Sequence, residues 1–137
     1  MHMLHHVSLG VTNIDHAAKL YDAMLAPLGY IRVWSDLRSG EPDQAVGYGL
    51  PGGGDKLALK LRPDRVGVGA GFHLAFTAPN HEAVEAFYKE AIQHGSEDNG
   101  PPGYRLHYGS NYYAAFIEDP DGHHLEAVCN TPSAPAA

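Results

Sequence analysis

The sequence is poor in cysteine, in long apolar runs and in positive charge. Cys129 is its only cysteine, so no disulfide can form within the chain, and this usage fits a reducing cytoplasm. No stretch approaches the roughly 18 consecutive apolar residues that a membrane span requires. The first residues also lack the basic segment followed by an apolar segment that marks a secretory signal. We therefore expect a cytoplasmic protein without a membrane partner.

The balance of charge narrows the class of partner further. Lysine and arginine number 9 against 16 aspartate and glutamate residues, and the formal net charge is -7. Nucleic-acid binding depends on Lys and Arg side chains that neutralise phosphates, so we expect no nucleic-acid partner. Histidine, in contrast, accounts for 10 of the 137 residues. Because histidine is the commonest metal ligand and a frequent acid or base, its abundance hints at one of these chemistries.

An internal repeat organises the chain. Residues 6–21 align with residues 73–88 without a gap. Three identical pairs fall at equivalent positions of the two copies: His6 with His73, Asn13 with Asn80, and Tyr21 with Tyr88. Such a repeat indicates a domain built from two similar halves.

Each copy of the repeat predicts a strand followed by a helix. Alternation of side chains predicts strands over 4–11 and 72–78, with the histidine and several small residues on one face. Small side chains on that face leave room for a cavity. Asn13 and Asn80 are suitable N-caps for the helices that follow. Two glycines are placed to end these helices, Gly29 and Gly95.

Turn-rich segments separate several short strands after each helix. The predicted strands lie near residues 30–35, 44–49, 56–61, 104–109, 112–118 and 123–129. Each half therefore predicts the order β-α-β-β-β, and the whole chain an α+β fold. We expect one domain over 1–130, with modules over about 4–61 and 72–129, and a flexible Pro/Ala-rich tail over 131–137.

Two such halves, each opening on a strand histidine, resemble the vicinal oxygen chelate superfamily, which includes glyoxalases, bleomycin-resistance proteins and extradiol dioxygenases. The resemblance covers roughly residues 4–129. Its most specific part is segment 116–126, FIEDPDGHHLE, which is similar to the final hairpin of that family. The resemblance implies two βαβββ modules that form a cupped mixed sheet. Because they lie just past the turn of this hairpin, His123 and His124 are expected at the surface.

The resemblance also implies a divalent-metal site. The family's first-strand histidine corresponds to His6, its second-module histidine to His73, and its last-strand glutamate to Glu126. Two histidines and one carboxylate suit Zn, Ni, Mn or Fe and leave coordination positions for a substrate. Glyoxalase I has a fourth ligand, a glutamate, where this chain has Lys60. Because a lysine ammonium has no lone pair, we do not expect a four-ligand glyoxalase I.

Lys60 also opens an alternative without a metal. It would then pair with Glu126 in the cavity. Apart from this alternative, Lys60 is interpreted either as a contact for a carboxylate or phosphate of the substrate or as a solvent-exposed lysine. Metal-free relatives of the bleomycin-resistance type bind and sequester small molecules. The function therefore stays open between such a binding protein and a metal-dependent enzyme of lyase or isomerase, dioxygenase or thiol-transferase type. A vestigial site with a role in protein interaction is a third option.

In small members of the family the two modules often complete a site across a homodimer. The resemblance therefore implies a homodimer that binds a small-molecule substrate. In such a dimer, His6 of one chain would join His73 and Glu126 of the other.

Segment 106–113 supplies the remaining candidate residues. It is rich in aromatic and polar side chains, including His107, Tyr112 and Tyr113. In one interpretation the tyrosines contact substrate, and one of them serves with His107 in acid–base catalysis. In the other, the segment is simply an aromatic-rich strand pair, which β-propensity favours. Strand alternation predicts that only one of the two tyrosines points into the cavity.

Overall fold

The computed structural model describes residues 3–132, which form an α+β fold of two similar modules. The first module contains β1 (Val7–Val11), α1 (Ile14–Leu25), β2 (Ile31–Asp36), β3 (Ala45–Gly49) and β4 (Leu57–Leu61). The second contains β5 (Leu74–Thr77), α2 (His81–Gln93), β6 (Glu97–Tyr104), β7 (Tyr113–Glu118) and β8 (His124–Cys129). The predicted β-α-β-β-β repeat is confirmed. Most of the predicted tail, residues 133–137, lies outside the described residues.

Each module forms one four-stranded mixed sheet. The strand orders are β1-β4-β3-β2 and β5-β8-β7-β6. In both sheets the first strand of the module runs parallel to the last, and the remaining neighbours are antiparallel. The strand that opens with a histidine therefore lies beside the last strand of its own module.

The helices begin where the sequence predicts. The side chain of Asn13 accepts a hydrogen bond from the backbone N of His16 at 3.0 Å, and Asn80 accepts one from Ala83 at 2.8 Å. Gly95 follows α2 with a φ of 101°, in the left-handed region that glycine adopts at low cost. After α1 the chain makes an additional 3₁₀ turn, Ala26–Leu28, before Gly29 ends it. Neither helix within residues 3–132 has the length and apolarity that a bilayer crossing requires.

The two modules share one hydrophobic core because their helices pack against each other and against the inner faces of both sheets. The opposite face of each sheet contributes no residue to this core. On the first sheet that face, here called the first open face, comprises Ser8, Gly10, Gly47, Ala58 and Lys60. The corresponding second open face comprises Ala75, Ala114, Phe116, Glu126 and Val128.

The turn between β7 and β8 ties the modules together. Tyr21 of α1 donates a hydrogen bond from its hydroxyl to Asp119 Oδ2 at 2.6 Å, and His123 Nδ1 donates to the same oxygen at 2.8 Å. Thr12 Oγ1 donates to Asp121 Oδ1 at 2.8 Å. We call these five residues the hairpin clasp. The expected surface position of His123 is wrong, since its side chain is buried against Asp119.

The predicted strand over 104–109 is also wrong. β6 occupies Glu97–Tyr104, and the chain turns through 105–112 instead. The strand was missed because it contains Gly100-Pro101-Pro102-Gly103, a composition typical of loops. β6 lies at the edge of its sheet and its pairing register shifts around Gly100, and prolines are tolerated on such irregular edge strands.

Candidate functional site

A hydrogen-bonded chain of three side chains crosses the second open face. His73 Nε2 donates to Glu126 Oε1 at 2.6 Å, and the Tyr112 hydroxyl donates to Glu126 Oε2. The Glu126 side chain is only 4% exposed, whereas that of His73 is 42% exposed. The site is therefore a buried carboxylate, satisfied at both oxygens, that reaches solvent through an imidazole.

The register of the second sheet explains this meeting. β8 lies between β5 and β7, and Glu126 pairs with Ala75 on one side and with Phe116 on the other. His73 lies two residues before Ala75 and therefore on the same face of β5. The ring of Phe116 lies 5.8 Å from the ring of His73, centroid to centroid, and forms one wall of the site.

Tyr112 acts as a hydrogen-bond donor in this arrangement. Burial raises the pKa of the Tyr112 phenol, and the hydrogen bond to the Glu126 carboxylate raises it further. The phenol therefore keeps its proton at neutral pH and holds the carboxylate in place.

Tyr113 lies on the opposite side of the sheet from Tyr112. It pairs with Cys129 of β8, and its ring stacks on His81 at the start of α2, with 3.9 Å between centroids. The two tyrosines thus face opposite sides, and the structure places Tyr113 away from Glu126.

His107 lies in the exposed turn after β6. Its ring contacts Tyr108 at 4.1 Å between centroids, and Tyr108 contacts Tyr112 at 5.3 Å. The ring contacts therefore connect His107 to Tyr112 by way of Tyr108.

The structure places the remaining predicted residues on the first module. His6 is exposed just before β1, with its Nδ1 2.8 Å from that of His5. His6 also lines a cavity of about 260 Å³ beside β5, which includes neither His73 nor Glu126. Within residues 3–132, no group of three or more His, Cys, Asp or Glu side chains is arranged to hold a metal ion. One chain thus brings together two of the three predicted ligands.

Lys60 does not pair with Glu126 within the described chain. It is exposed on the first open face, where it neighbours Gly10 and Ala45 across the strands. The ion-pair partner of Glu126 is His73.

Sequence reasoning missed two side chains on the open faces. The guanidinium carbon of Arg105 lies 5.2 Å from the centroid of the Phe116 ring. Trp34 of β2 lies directly over Gly47, where an added Cβ would approach the indole Nε1 to 2.3 Å. The only signals were a single arginine within an aromatic segment and the only tryptophan of the chain, and neither signal specifies a contact across strands.

Comparisons with known proteins agree with this architecture. A family model described as the Glyoxalase/Bleomycin resistance protein/Dioxygenase superfamily matches residues 3–127. A glyoxalase/bleomycin resistance protein from Albidiferax ferrireducens T118 is 26% identical, with a TM-score of 0.76 over 95% of this chain and 100% of that one. A comparison with curated proteins finds no significant match.

Two further solved structures share the fold at lower identity. A glyoxalase-related enzyme from Fulvimarina pelagi is 20% identical, with a TM-score of 0.68 over 98% of this chain and 100% of that one. The fosfomycin resistance protein FosX from Listeria monocytogenes is 15% identical, with a TM-score of 0.66 over 96% of this chain and 95% of that one.

Proposed function

Because the chain belongs to the glyoxalase/bleomycin resistance protein/dioxygenase superfamily, we propose that it is a divalent-metal-dependent enzyme acting on a small oxygenated substrate. The observation that carries this proposal is the contact between His73 and Glu126, two ligand-type side chains on an open face. The proposed ligands are these two residues and His6, and the metal is Zn, Ni, Mn or Fe.

The donor chemistry of the pair fits a metal ion. The His73 Nε2 atom and the Glu126 Oε1 atom lie 2.6 Å apart, and a cation bound to both would replace the proton of their hydrogen bond, which metal binding releases. Tyr112 would then hold the second carboxylate oxygen and orient Glu126 toward the metal. When bound, the metal would stabilise negative charge that develops on a substrate oxygen.

The third ligand is proposed to come from a second copy of the chain. His6 is exposed on the first module, while His73 and Glu126 lie on the second open face. A two-fold symmetric dimer that places the first open face of each copy against the second open face of its partner would create two equivalent sites. Lys60 would then face the substrate from the partner's wall of the site.

The type of reaction follows only in part from these residues. Lys60 stands where a fourth ligand would be needed, which disfavours a four-ligand glyoxalase I. Lyase or isomerase, dioxygenase and thiol-transferase chemistry all accept a three-ligand site with open positions. Tyr112 is neutral and its hydroxyl already donates to Glu126, so it does not serve as the general base. Another group of the completed site would have to accept the proton.

One observation favours a second candidate function, a metal-free binding protein of the bleomycin-resistance type. Both oxygens of Glu126 already accept hydrogen bonds from His73 and Tyr112. A buried carboxylate with these partners is stable without a cation, and an open face with aromatic walls would then bind a small molecule by contact alone.

Elemental analysis distinguishes the two functions. Untagged wild type, His73→Ala and Glu126→Gln would be purified from medium supplemented with Mn, Fe, Ni and Zn. His124→Ala is the matched control, because this histidine is similarly exposed, at 47% of its side chain, and pairs with Glu118 instead.

We expect near-stoichiometric metal in wild type and in the control. In the two ligand variants we expect the metal affinity to fall by at least the roughly 10- to 100-fold that the loss of an outer-shell partner causes. Their metal content should therefore fall well below that of wild type. A wild-type protein that carries no metal and binds none on titration would favour the binding protein. Full metal occupancy in His73→Ala would contradict the assigned ligands.

A further inference from the structure

An arginine that has no carboxylate partner within residues 3–132 lies over Phe116, the ring that also contacts His73. The Arg105 guanidinium donates to the backbone oxygen of Pro101 at 2.6 Å and to that of Tyr104 at 3.5 Å. No carboxylate among residues 3–132 lies within ion-pair distance of Arg105. In contrast, Arg32 and Arg38 form ion pairs at 2.6 Å and 2.7 Å. Arg62 and Arg65 also form no ion pair within residues 3–132, but they are exposed in the linker after β4, whereas Arg105 is half-buried. The donors of Arg105 that remain are available to a ligand.

Two glycines of β6 make room for this guanidinium. A Cβ on Gly100 would lie 2.9 Å from Phe116 Cδ2 and 3.2 Å from Arg105 Nη2, and a Cβ on Gly103 would lie 3.1 Å from Arg105 Nη1. Gly100 has a φ of 143°, which other residues rarely adopt. The guanidinium of Arg105 therefore lies close against the backbone of β6, where a side chain at position 100 would meet both Phe116 and Arg105.

The same aromatic ring joins the arginine to the candidate site. The guanidinium carbon lies 5.2 Å from the centroid of Phe116, a cation–π distance, and the His73 ring lies 5.8 Å from that centroid. The backbone N of Arg105 also donates to the backbone oxygen of Tyr112 at 2.8 Å. This hydrogen bond closes the loop over residues 105–112. The Arg105 guanidinium and the His73 ring therefore both lie near the ring of Phe116.

We propose that Arg105 binds the anionic group of the substrate, a carboxylate or a phosphoryl group. The guanidinium has a planar fork of donors that matches such oxyanions with two parallel hydrogen bonds. The inference rests on the proposed function in one respect. The substrate oxygens that do not contact Arg105 would lie toward His73 and Glu126. The preferred substrate is therefore a small acid and not its neutral amide.

The test is an NMR titration of the uniformly ¹⁵N-labelled full chain, observing the Arg105 Nε–Hε signal at constant ionic strength. The three probes are glycolate, methyl phosphate and glycolamide, the neutral analogue of glycolate. We expect saturable shifts with at least one of the anions and none with glycolamide. Whichever anion binds more tightly identifies the carboxylate or the phosphoryl group as the preferred one.

Matched variants assign the binding to Arg105. Because glutamine and lysine have no Nε–Hε group, wild type and all variants are compared at the backbone amide signals of residue 105 and of Tyr112, whose backbone oxygen accepts a hydrogen bond from the amide of residue 105. Arg105→Gln is expected to weaken anion binding at least tenfold, while Arg65→Gln, which makes the same charge change at an exposed linker residue, leaves it unchanged. Arg105→Lys retains the positive charge but lacks the planar set of donors, so its affinity for the anion should lie between those of wild type and Arg105→Gln. Arg105→Lys also replaces Arg105→Gln if the glutamine variant does not fold.

Several outcomes would overturn the inference. These are no saturable binding of either anion to wild type, equal binding of glycolamide, or equal losses in Arg105→Gln and Arg65→Gln. The titration does not read metal content. A protein that holds no metal and still binds an anion through Arg105 would refute the proposed enzyme but support this inference. A protein that holds metal and shows no preference for anions would support the enzyme and refute this inference.

Discussion

Asp119 shows how one buried residue joins the two modules. It accepts hydrogen bonds from the Tyr21 hydroxyl and from the ring and backbone nitrogens of His123. Burial by itself raises the pKa of the Asp119 carboxyl, but the hydrogen bonds from His123 and Tyr21 outweigh it and lower the pKa below its ordinary value. Asp119 is therefore ionised in the folded protein, and hydrogen bonds within the hairpin clasp stabilise its negative charge.

This lowered pKa predicts a loss of stability in acid. A carboxyl whose pKa is lower in the folded state stabilises it above the unfolded pKa of about 3.9, and this contribution is lost as pH falls through the folded pKa. At pH 7 we expect Asp119→Asn to be less stable than wild type by on the order of 1–3 kcal/mol. Below about pH 4 the difference should narrow.

Urea denaturation at a series of pH values measures this difference. Asp64→Asn, at an exposed linker residue, is the control and should match wild type throughout. A difference between Asp119→Asn and wild type that stays constant from pH 7 to pH 3 would contradict the proposed role of the charge.

The neighbouring residues Tyr112 and Tyr113 allow the role of a single hydroxyl group to be tested. If Tyr112 orients the Glu126 carboxylate, Tyr112→Phe should weaken metal binding by roughly 10- to 100-fold, as losses of outer-shell partners do. Tyr113→Phe removes the same hydroxyl from the helix side of the sheet and should leave affinity unchanged. Competition with a chromogenic chelator measures both, and equal affinities of the two variants would exclude this role for Tyr112.

Among the elements, the β2–β3 pair depends on a glycine beneath a tryptophan. Trp34 pairs with Gly47 across these strands, and the register shifts between Arg32 and Trp34. The indole occupies the space that any side chain at position 47 would need. The first open face therefore keeps an aromatic surface, 39% exposed at Trp34, because residue 47 has no side chain.

We predict that Gly47→Ala displaces the indole. The new Cβ would lie 2.3 Å from Nε1 and 2.4 Å from Cε2 of Trp34, so the strand pair must shift, at a cost of about 1–3 kcal/mol. Tryptophan fluorescence reports this directly, because the chain has one tryptophan, and its emission should move to longer wavelength. Gly54→Ala, with no atom within 4 Å of its added Cβ, should cause neither change.

At the scale of the whole molecule, the modules are joined through their helices and the hairpin clasp. The open faces take no part in this junction. A single chain thus has a complete core, and the three proposed ligands do not meet within it. Assembly of two copies would complete the site without rearrangement of either core.

Mixed dimers test the shared site. In a dimer of His6→Ala with His73→Ala, one site would lose both histidines and the other would keep all three ligands. We expect one metal ion per mixed dimer in native mass spectrometry, and little in either variant alone. If each site were contained within one chain, the mixed dimer would bind no metal, and a monomeric wild-type protein would exclude the arrangement.

Local features of the sequence predicted most of the fold. The repeat, the alternation along the strands and the caps Asn13 and Asn80 act between residues close together in the chain, so they can be read without coordinates. The prediction failed at β6, where pairing at a sheet edge accommodates Gly100-Pro101-Pro102-Gly103, and at His123, which is buried by contact with Asp119.

By itself the sequence therefore determined the two modules, the order of their elements and the histidine and glutamate positions that the family motif marks. Only the tertiary structure decided that His73 contacts Glu126, that Tyr112 and not Tyr113 joins them, and that Arg105 lies over Phe116. The reason is that these contacts join residues on different strands and loops. Their geometry depends on which distant segments pair with each other and on the space that glycines leave between them.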